Sequence, residues 1–350
     1  MSLTTPHNDT PVSTAGGANW PPQFGKATDE FAALKSTCGV YDLAQRAKIR
    51  LSGSDRVRWL NGMVTNNIRD LGQNHGVYAF LLNPQGHILG DLVAFNRGES
   101  LLVETDHPQL DKILATFDHY IIMDDVEVAN ISDNFASIGV TGPNGDAVLG
   151  AAGIKIPSLE PLQIADLSWH DSPISVIRGE YETYLSYEIW IAPEHASALR
   201  EALQAAGAML VGHDAIELYR IALGVPRYGQ DIRERDLPQE TEQARALNFN
   251  KGCYVGQEIV ERIRSRGNVH RKFTGFKIDG AAPAPGTKIQ AQAKDIGEVT
   301  SSAVISTLAG DQTLALGYLR REFATPGKEL EIAGAHAIVS DLPFRDLLKT

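Results

Sequence analysis

Strand-like and helix-like hydrophobic patterns alternate along this chain as far as Pro283-Ala284-Pro285-Gly286, and beyond that point only strand-like segments remain. That switch constrains the fold more than any single residue does. In the first passage, Phe31 and Leu34 sit at helical spacing, and Ile49–Leu51 is a short strand candidate. Ser54 has the chemistry of an N-cap for a helix over Asp55–Met63, where Val57 and Leu60 are three apart. Tyr78–Leu82, His87–Phe95 and Ser100–Thr105 read as strands, with turns at Asn83-Pro84-Gln85-Gly86 and Asn96-Arg97-Gly98. Pro108–Tyr120 places Leu110, Ile113, Leu114 and Phe117 on one helical face. Such hairpin-like links imply a mixed antiparallel α+β sheet rather than a doubly wound one.

A second, similar passage follows. Phe135–Thr141, Ile174–Ile177 and Tyr184–Ile191 read as strands, and Gly142-Pro143-Asn144-Gly145 opens a short helix. Pro193–Ala206 is amphipathic through Leu199, Ala202, Leu203 and Ala206, with Pro193 at its start and Gly207 at its end. His213–Leu223 is apolar on most sides and is expected to be buried. The tail then offers strands at Lys288–Gln292, Glu298–Ile305, Thr313–Leu319, Glu329–Ile332 and His336–Val339, the texture of a small β-barrel.

A chain of 350 residues holds two to three domains at about 150 residues each. The expected division is a flexible tail at 1–23, a first α+β unit at 24–130, a second at 131–270 and the barrel at 271–350. The tail is rich in Thr, Ser, Pro, Gly and Asn and lacks the basic start and apolar centre of a secretory signal. Hydrophobic residues at 43% and charged residues at 21% exclude a disordered, collagenous or fibrous chain. The net charge of −11 argues against indiscriminate nucleic-acid binding. No apolar run approaches about 18 residues, so no membrane helix is expected.

The only cysteines, Cys38 and Cys253, are too few for a disulfide framework or for the four thiolates that usually hold an iron–sulfur cluster. A reducing, cytoplasmic setting fits them. His75, His87 and His119 lack a second ligand at metal spacing, and no bound metal is expected. A monomer is expected.

The chemistry concentrates in Lys251-Gly252-Cys253-Tyr254-Val255-Gly256-Gln257-Glu258. Its glycines allow a tight turn, and Ile259–Ser265 then reads as helix, with Glu258 and Arg262 spaced as an i,i+4 pair. Cys253 thus precedes a helix N-terminus and lies two residues from Lys251, both of which favour a thiolate. The other reading of Cys253 is a buried, inert thiol. Arg262, Arg264, Arg266, His270, Arg271 and Lys272 follow as a local basic cluster, either a solvated surface or an anion site for a polyglutamate tail, phosphate or RNA.

The octapeptide resembles the signature of the YgfZ family, folate-binding proteins that assist iron–sulfur cluster assembly or repair. That family is related to the T-protein (aminomethyltransferase) of the glycine cleavage system. Gly39-Val40-Tyr41-Asp42-Leu43, Leu51-Ser52-Gly53-Ser54-Asp55, Val64-Thr65-Asn66-Asn67, Gly142-Pro143 and Leu223-Gly224-Val225-Pro226-Arg227-Tyr228-Gly229 carry the likeness along the chain. The resemblance implies a three-domain ring whose central channel admits tetrahydrofolate, closed by a C-terminal barrel. It implies a functional thiol at Cys253, with Lys251, Gly256 and Gln257 of the same motif on the ligand side.

By the same resemblance, Asp91 matches the T-protein's catalytic acidic position, and Glu188 its pterin-binding glutamate. A carboxylate at Glu188 can accept two hydrogen bonds from a pterin edge. On the residues alone, Asp91 also reads as a solvent-facing strand end, and Glu188 as an exposed position between inward Tyr187 and Ile189. Where T-proteins carry Thr-Gly-Glu-Asp-Gly, this chain has Glu182-Thr183-Tyr184-Leu185-Ser186. A substrate-contacting T-protein Arg falls on Ile216, and a second family Arg on Arg220, which either faces the channel or is structural. Tyr78 and Asn66 match channel positions but also suit turn and core packing. Trp59 reads as core.

Three function classes therefore stand: a tetrahydrofolate-binding accessory protein for iron–sulfur enzymes or their assembly proteins; a folate-dependent aminomethyltransferase; and an RNA-modification factor using Arg262–Lys272.

Overall fold

The computed structural model describes residues 20–348 other than positions 183, 268, 308 and 309. The expected flexible tail lies, up to residue 19, outside the described residues. In chain order, α1 (Ala27–Ser36) leads into β1 (Gly39–Asp42), β2 (Arg46–Ser52), α2 (Arg56–Met63), β3 (Gly76–Leu82), β4 (Ile88–Asn96), β5 (Leu101–Asp106), α3 (His107–Tyr120) and β6 (Glu127–Asn130). Next come β7 (Ala136–Thr141), α4 (Gly145–Ala151), β8 (Ile164–Trp169), β9 (Ser172–Arg178), β10 (Ser186–Ile191), α5 (Ala196–Ala205), β11 (Met209–Leu210) and α6 (His213–Leu223). A long stretch with only 3-10 turns reaches α7 (Gln257–Arg266). The rest is β12 (Arg271–Ile278), β13 (Lys288–Ala291), β14 (Lys294–Thr307), β15 (Gly310–Arg320), β16 (Glu329–Ile332), β17 (Ala335–Ser340) and α8 (Arg345–Leu348).

The first sheet runs β3-β4-β5-β2-β6, antiparallel throughout. Period-2 alternation sends Ala47, Ile49, Leu51, Leu81, Ala94 and Val103 to one face, where α2 and α3 cover them with Leu60, Ile113 and Phe117. The opposite face is not open to water. Phe95 and Leu102 there meet Ile164, Ile177 and Trp190 of the second sheet. Burial on both faces explains why β3 reads as an unbroken apolar run.

The second sheet runs β11-β1-β7-β10-β9-β8 and packs Val40, Ile138, Val140, Ile189 and Ile191 against α4 and α5. Among the described residues, its one parallel pair is β1 with β11. The expected boundary at 130/131 does not coincide with the division between sheets. β1 pairs with β7, so part of the 24–130 segment completes the second sheet. In return, Ile232, Ala246, Tyr254 and Val260 pack on Tyr78, Phe80, Leu82 and Ile88 of the first. Non-local pairing, which local pattern cannot register, decides both exchanges.

The C-terminal strands close into a six-stranded barrel, β12-β15-β14-β13-β16-β17, filled by Phe276, Ile289, Leu319 and Val339. α6 is wedged between α1, α8 and the barrel wall, with Ala215, Ile221 and Ala222 buried as expected. Ser54 does not cap α2: Asp55 occupies the cap position, and Ser54 donates through both its backbone N–H and its hydroxyl to Asp125 at 2.8 Å. Among the described residues, no helix is long and apolar enough to cross a membrane.

Candidate functional site

The two sheets enclose a cavity of about 350 Å³, whose lining includes Tyr78, Asp91, Glu104, Glu188, Arg220 and Arg245. Its size lies at the small end of the range usual for small-ligand sites. On β10, Tyr187, Ile189 and Ile191 point into the α4/α5 core, which leaves Glu188 and Trp190 facing the first sheet. Glu188 is therefore an interior group and not a solvent-facing one.

Opposite it, Lys48 and Glu104 form a direct cross-strand pair on β2 and β5. The Lys48 ammonium lies 3.1 Å from Glu104 Oε1 and 3.6 Å from Glu188 Oε1, and donates to Ser137 Oγ at 2.5 Å. Trp190 Nε1 donates to Glu188 Oε1 at 2.6 Å, and its ring centroid is 4.9 Å from the same ammonium. Burial, then the neighbouring Glu188 charge, pushes the Glu104 carboxyl up to about 8, against the pull of Lys48 and Arg46. Burial acts to raise Glu188 too, but Lys48, Glu104, Arg46 and Trp190 together hold it below the usual carboxylate range. Sequence reasoning missed Lys48 and Glu104. Lys48 sits with Arg46 and Arg50 on the charged alternate face of β2, a pattern that ordinarily signals solvent.

Asp91, on β4, is half-buried at the cavity wall. Tyr78 donates its hydroxyl to Asp91 Oδ2 at 2.7 Å, and Gln109 Nε2 donates to Oδ1 at 2.8 Å. Burial, then the Asp106 charge, raises the Asp91 carboxyl against these hydrogen bonds. Arg245, another residue the sequence did not single out, stacks 4.1 Å over the Tyr78 ring and 5.3 Å from that of Tyr181, and ion-pairs with Glu180. Arg220 meets the cavity but is held by Glu217 at 2.6 Å, Asp231 at 2.7 Å and the Val225 carbonyl at 2.6 Å. Asn66 works as a clamp, its Nδ2 donating to the carbonyls of Tyr78 and Arg245, each at 2.8 Å.

The octapeptide lies elsewhere. Lys251, Cys253, Gly256 and Gln257 are not among the residues lining the cavity. The Lys251 ammonium turns inward and donates to three backbone carbonyls, of Asn61 at 2.5 Å, Val64 at 2.6 Å and Asn66 at 2.7 Å. Burial lowers its amine to about 7. Tyr254 anchors the turn in the core over β3, and Val255 N–H bonds the Gly62 carbonyl at 3.1 Å. Gly256 has φ +81°, and a Cβ there would lie 2.6 Å from the Asn83 carbonyl oxygen, so only glycine fits. Between these anchors Cys253 is exposed, whereas Cys38 is buried and its thiol is raised to about 11 by that burial.

α7 begins at Gln257, and Glu258 pairs with Arg262 at 2.6 Å. Much of the basic cluster is likewise spent: Arg264 pairs with Glu261, Arg271 with Asp236 and Glu240, and Lys272 with Glu242. Trp59 is core, edge-on to Phe117. Among the described residues, no three His, Cys, Asp or Glu side chains are grouped to hold a metal ion.

A larger cleft of about 820 Å³ lies between α1, α6 and the C-terminal turn. Its lining is mainly apolar; among the described residues it holds one carboxylate, Glu182, with the cations Lys35 and Arg345 and no second carboxyl. The convergence of tuned carboxyls favours the smaller cavity as the site.

Residues 8–251 match the model of the GCVT N-terminal domain, and residues 271–346 that of the glycine cleavage T-protein C-terminal barrel domain. The chain is 28% identical over 343 residues to an aminomethyltransferase of Halothermothrix orenii, covering 94% of each chain. It is 27% identical over 311 residues to one of Rubrobacter xylanophilus, covering 87% of this chain and 82% of that one. The structure is similar to that of the glycine cleavage system aminomethyltransferase T from Bartonella henselae, with a TM-score of 0.82, 22% identity, and 91% and 89% of the two chains covered.

Proposed function

Because the chain belongs to the glycine cleavage T-protein family, we propose that it binds a reduced folate between its two sheets and assists transfer of a one-carbon group, the chemistry of an aminomethyltransferase. The observation that carries this reading is a pair of carboxyls tuned in opposite directions in one cavity. Asp91 is raised by burial, while Glu188 is held low by its cationic neighbours despite burial. Such divergence separates a proton-handling group from a permanently ionised one. Glu188 accepts N–H bonds from the pterin edge, and Phe95 and Ile177 give the cavity apolar wall. Tyr78 and Gln109 fix the two oxygens of Asp91, which accepts a proton from the amine side or stabilises positive charge there. When bound, tetrahydrofolate supplies the ring nitrogen that takes up the one-carbon group.

Calorimetric titration with tetrahydrofolate tests the reading. Glu188→Ala is expected to weaken binding by about 2 kcal/mol, roughly thirtyfold. Asp91→Asn should bind with little loss yet release ammonia from an aminomethyl donor about 10²- to 10⁴-fold more slowly. Failure of the wild-type protein to bind would defeat the reading.

Two observations favour a second reading, a folate-binding accessory to iron–sulfur enzymes as the resemblance to the YgfZ family implies. Cys253 is displayed to solvent on a turn anchored on both sides. Ile216, at the position of a substrate-contacting T-protein Arg, lines the cavity. Cys253→Ala should leave folding and folate affinity unchanged but fail to restore cluster-enzyme activity in a strain lacking the protein; full restoration would remove the thiol from the account. The ion-paired basic cluster gives the RNA reading little support.

A further inference from the structure

The floor of the cavity carries more charge than the recognition of one ligand edge by Glu188 requires. Glu104 and Glu188 both lie within 3.6 Å of one ammonium, Lys48. From β2, Lys48 and Arg46 face the two carboxyls, and from β1 the Tyr41 phenol faces Glu188. Asp91 and Asp106 also act on Arg46, which divides its positive charge among four carboxyls. Side-chain exposures of 1% for Lys48, 4% for Glu104 and 15% for Glu188 leave little room for water to screen two adjacent anions. Two carboxyls that share a dry site titrate as a unit and keep one proton between them. Lys48 donates to Glu104 at 3.1 Å and lies 3.6 Å from Glu188, so it does not choose between them; Glu188 has a further donor in Trp190 and is the less buried of the two, so the ionised member is Glu188.

We propose that Glu104 carries that proton, and that it is the positioning and specificity residue that makes the cavity floor a donor–acceptor pair. A carboxylic acid at Glu104 then stands beside a carboxylate at Glu188. That pair complements a heterocycle edge on which a carbonyl oxygen sits next to N–H donors, as on a 4-oxo pterin. The choice of ligand rests on the folate reading; the shared proton does not.

Trp190 is a built-in reporter, because it touches both Glu188 and Lys48. The first experiment is a fluorescence pH titration of the unliganded protein and of Glu104→Gln, whose amide does not titrate. The wild type is expected to show an inflection near pH 8 that the variant lacks. Infrared detection of a protonated carboxyl lost over the same pH range gives a readout that needs no variant. The second experiment compares affinity for tetrahydrofolate with that for its 4-amino-4-deoxy counterpart, in which a donor replaces the carbonyl acceptor. The wild type is expected to prefer the 4-oxo ligand by roughly tenfold or more at neutral pH. That preference should shrink as the pH passes the inflection and stay flat in Glu104→Gln. An inflection that is absent, or that survives in Glu104→Gln, overturns the shared proton. Equal affinity for the two ligands overturns the specificity role. A clear inflection without binding of either ligand upholds the proton and overturns the folate reading.

Discussion

Lys48→Met is expected to lower folding stability by about 3–5 kcal/mol near neutral pH, because it removes the central cation from a buried charge network. The side chains are similar in length, so the loss is electrostatic rather than a cavity. Without the ammonium, Glu188 keeps only Arg46 as a nearby cation and is driven to protonate beside the already protonated Glu104. Their folded-state pKa values then lie above the unfolded values near 4.3. A group of that kind stabilises the folded state below the unfolded pKa and loses the contribution as pH rises through the folded one. The deficit of Lys48→Met should therefore shrink steadily as the pH falls toward about 4.3. Urea unfolding midpoints of variant and wild type across this range measure it. A deficit under about 1 kcal/mol, or one flat with pH, would mean that water reaches the pair and that the network is not closed.

The second large effect is expected at Lys251, through hydrogen bonding rather than through paired charge. Lys251→Met leaves the carbonyls of Asn61, Val64 and Asn66 without their shared donor. Each buried carbonyl left unsatisfied costs about 1–3 kcal/mol, so a loss of about 3 kcal/mol or more is expected. Lys251→Arg should not restore it, since a planar guanidinium cannot point three donors inward from one nitrogen. The loss should be local as well as global. Lys251 ties the end of α2 and the Asn66 clamp to the turn that displays Cys253. Amide hydrogen exchange over residues 61–66 and 251–256 should rise well above that of the barrel. Unchanged protection there would show that Tyr254 and Gly256 hold the turn without the lysine.

These two lysines mark the limit of what the sequence discloses. Lys251 was legible as a special residue, because it opens a recognisable octapeptide, but its proximity to Cys253 suggested a partner for the thiol. The fold instead sends its ammonium to the end of a helix some 190 residues earlier. Lys48 left no signal at all. A lysine between Ala47 and Ile49 on an alternating strand looks the same whether its face meets water or a second sheet. Glu188 drew attention only through the family resemblance, since alternation with Tyr187 and Ile189 also fits an exposed residue. Arg245 sits in a stretch of 3-10 turns, where no periodicity assigns a direction.

By itself the sequence determined the classes of structure and their order: two α+β passages, a buried helix at His213–Leu223, and a closed β-barrel at the end. It could do so because apolar periodicity is a local property, written in neighbours three, four or two residues apart. Only the tertiary structure decided that β1 crosses into the second sheet and that the charged face of the first sheet is roofed over. It alone turned Lys48, Glu104 and Glu188 into one network. Burial and charge pairing join residues as far apart as positions 48 and 188, so their chemistry exists only once the two sheets have met.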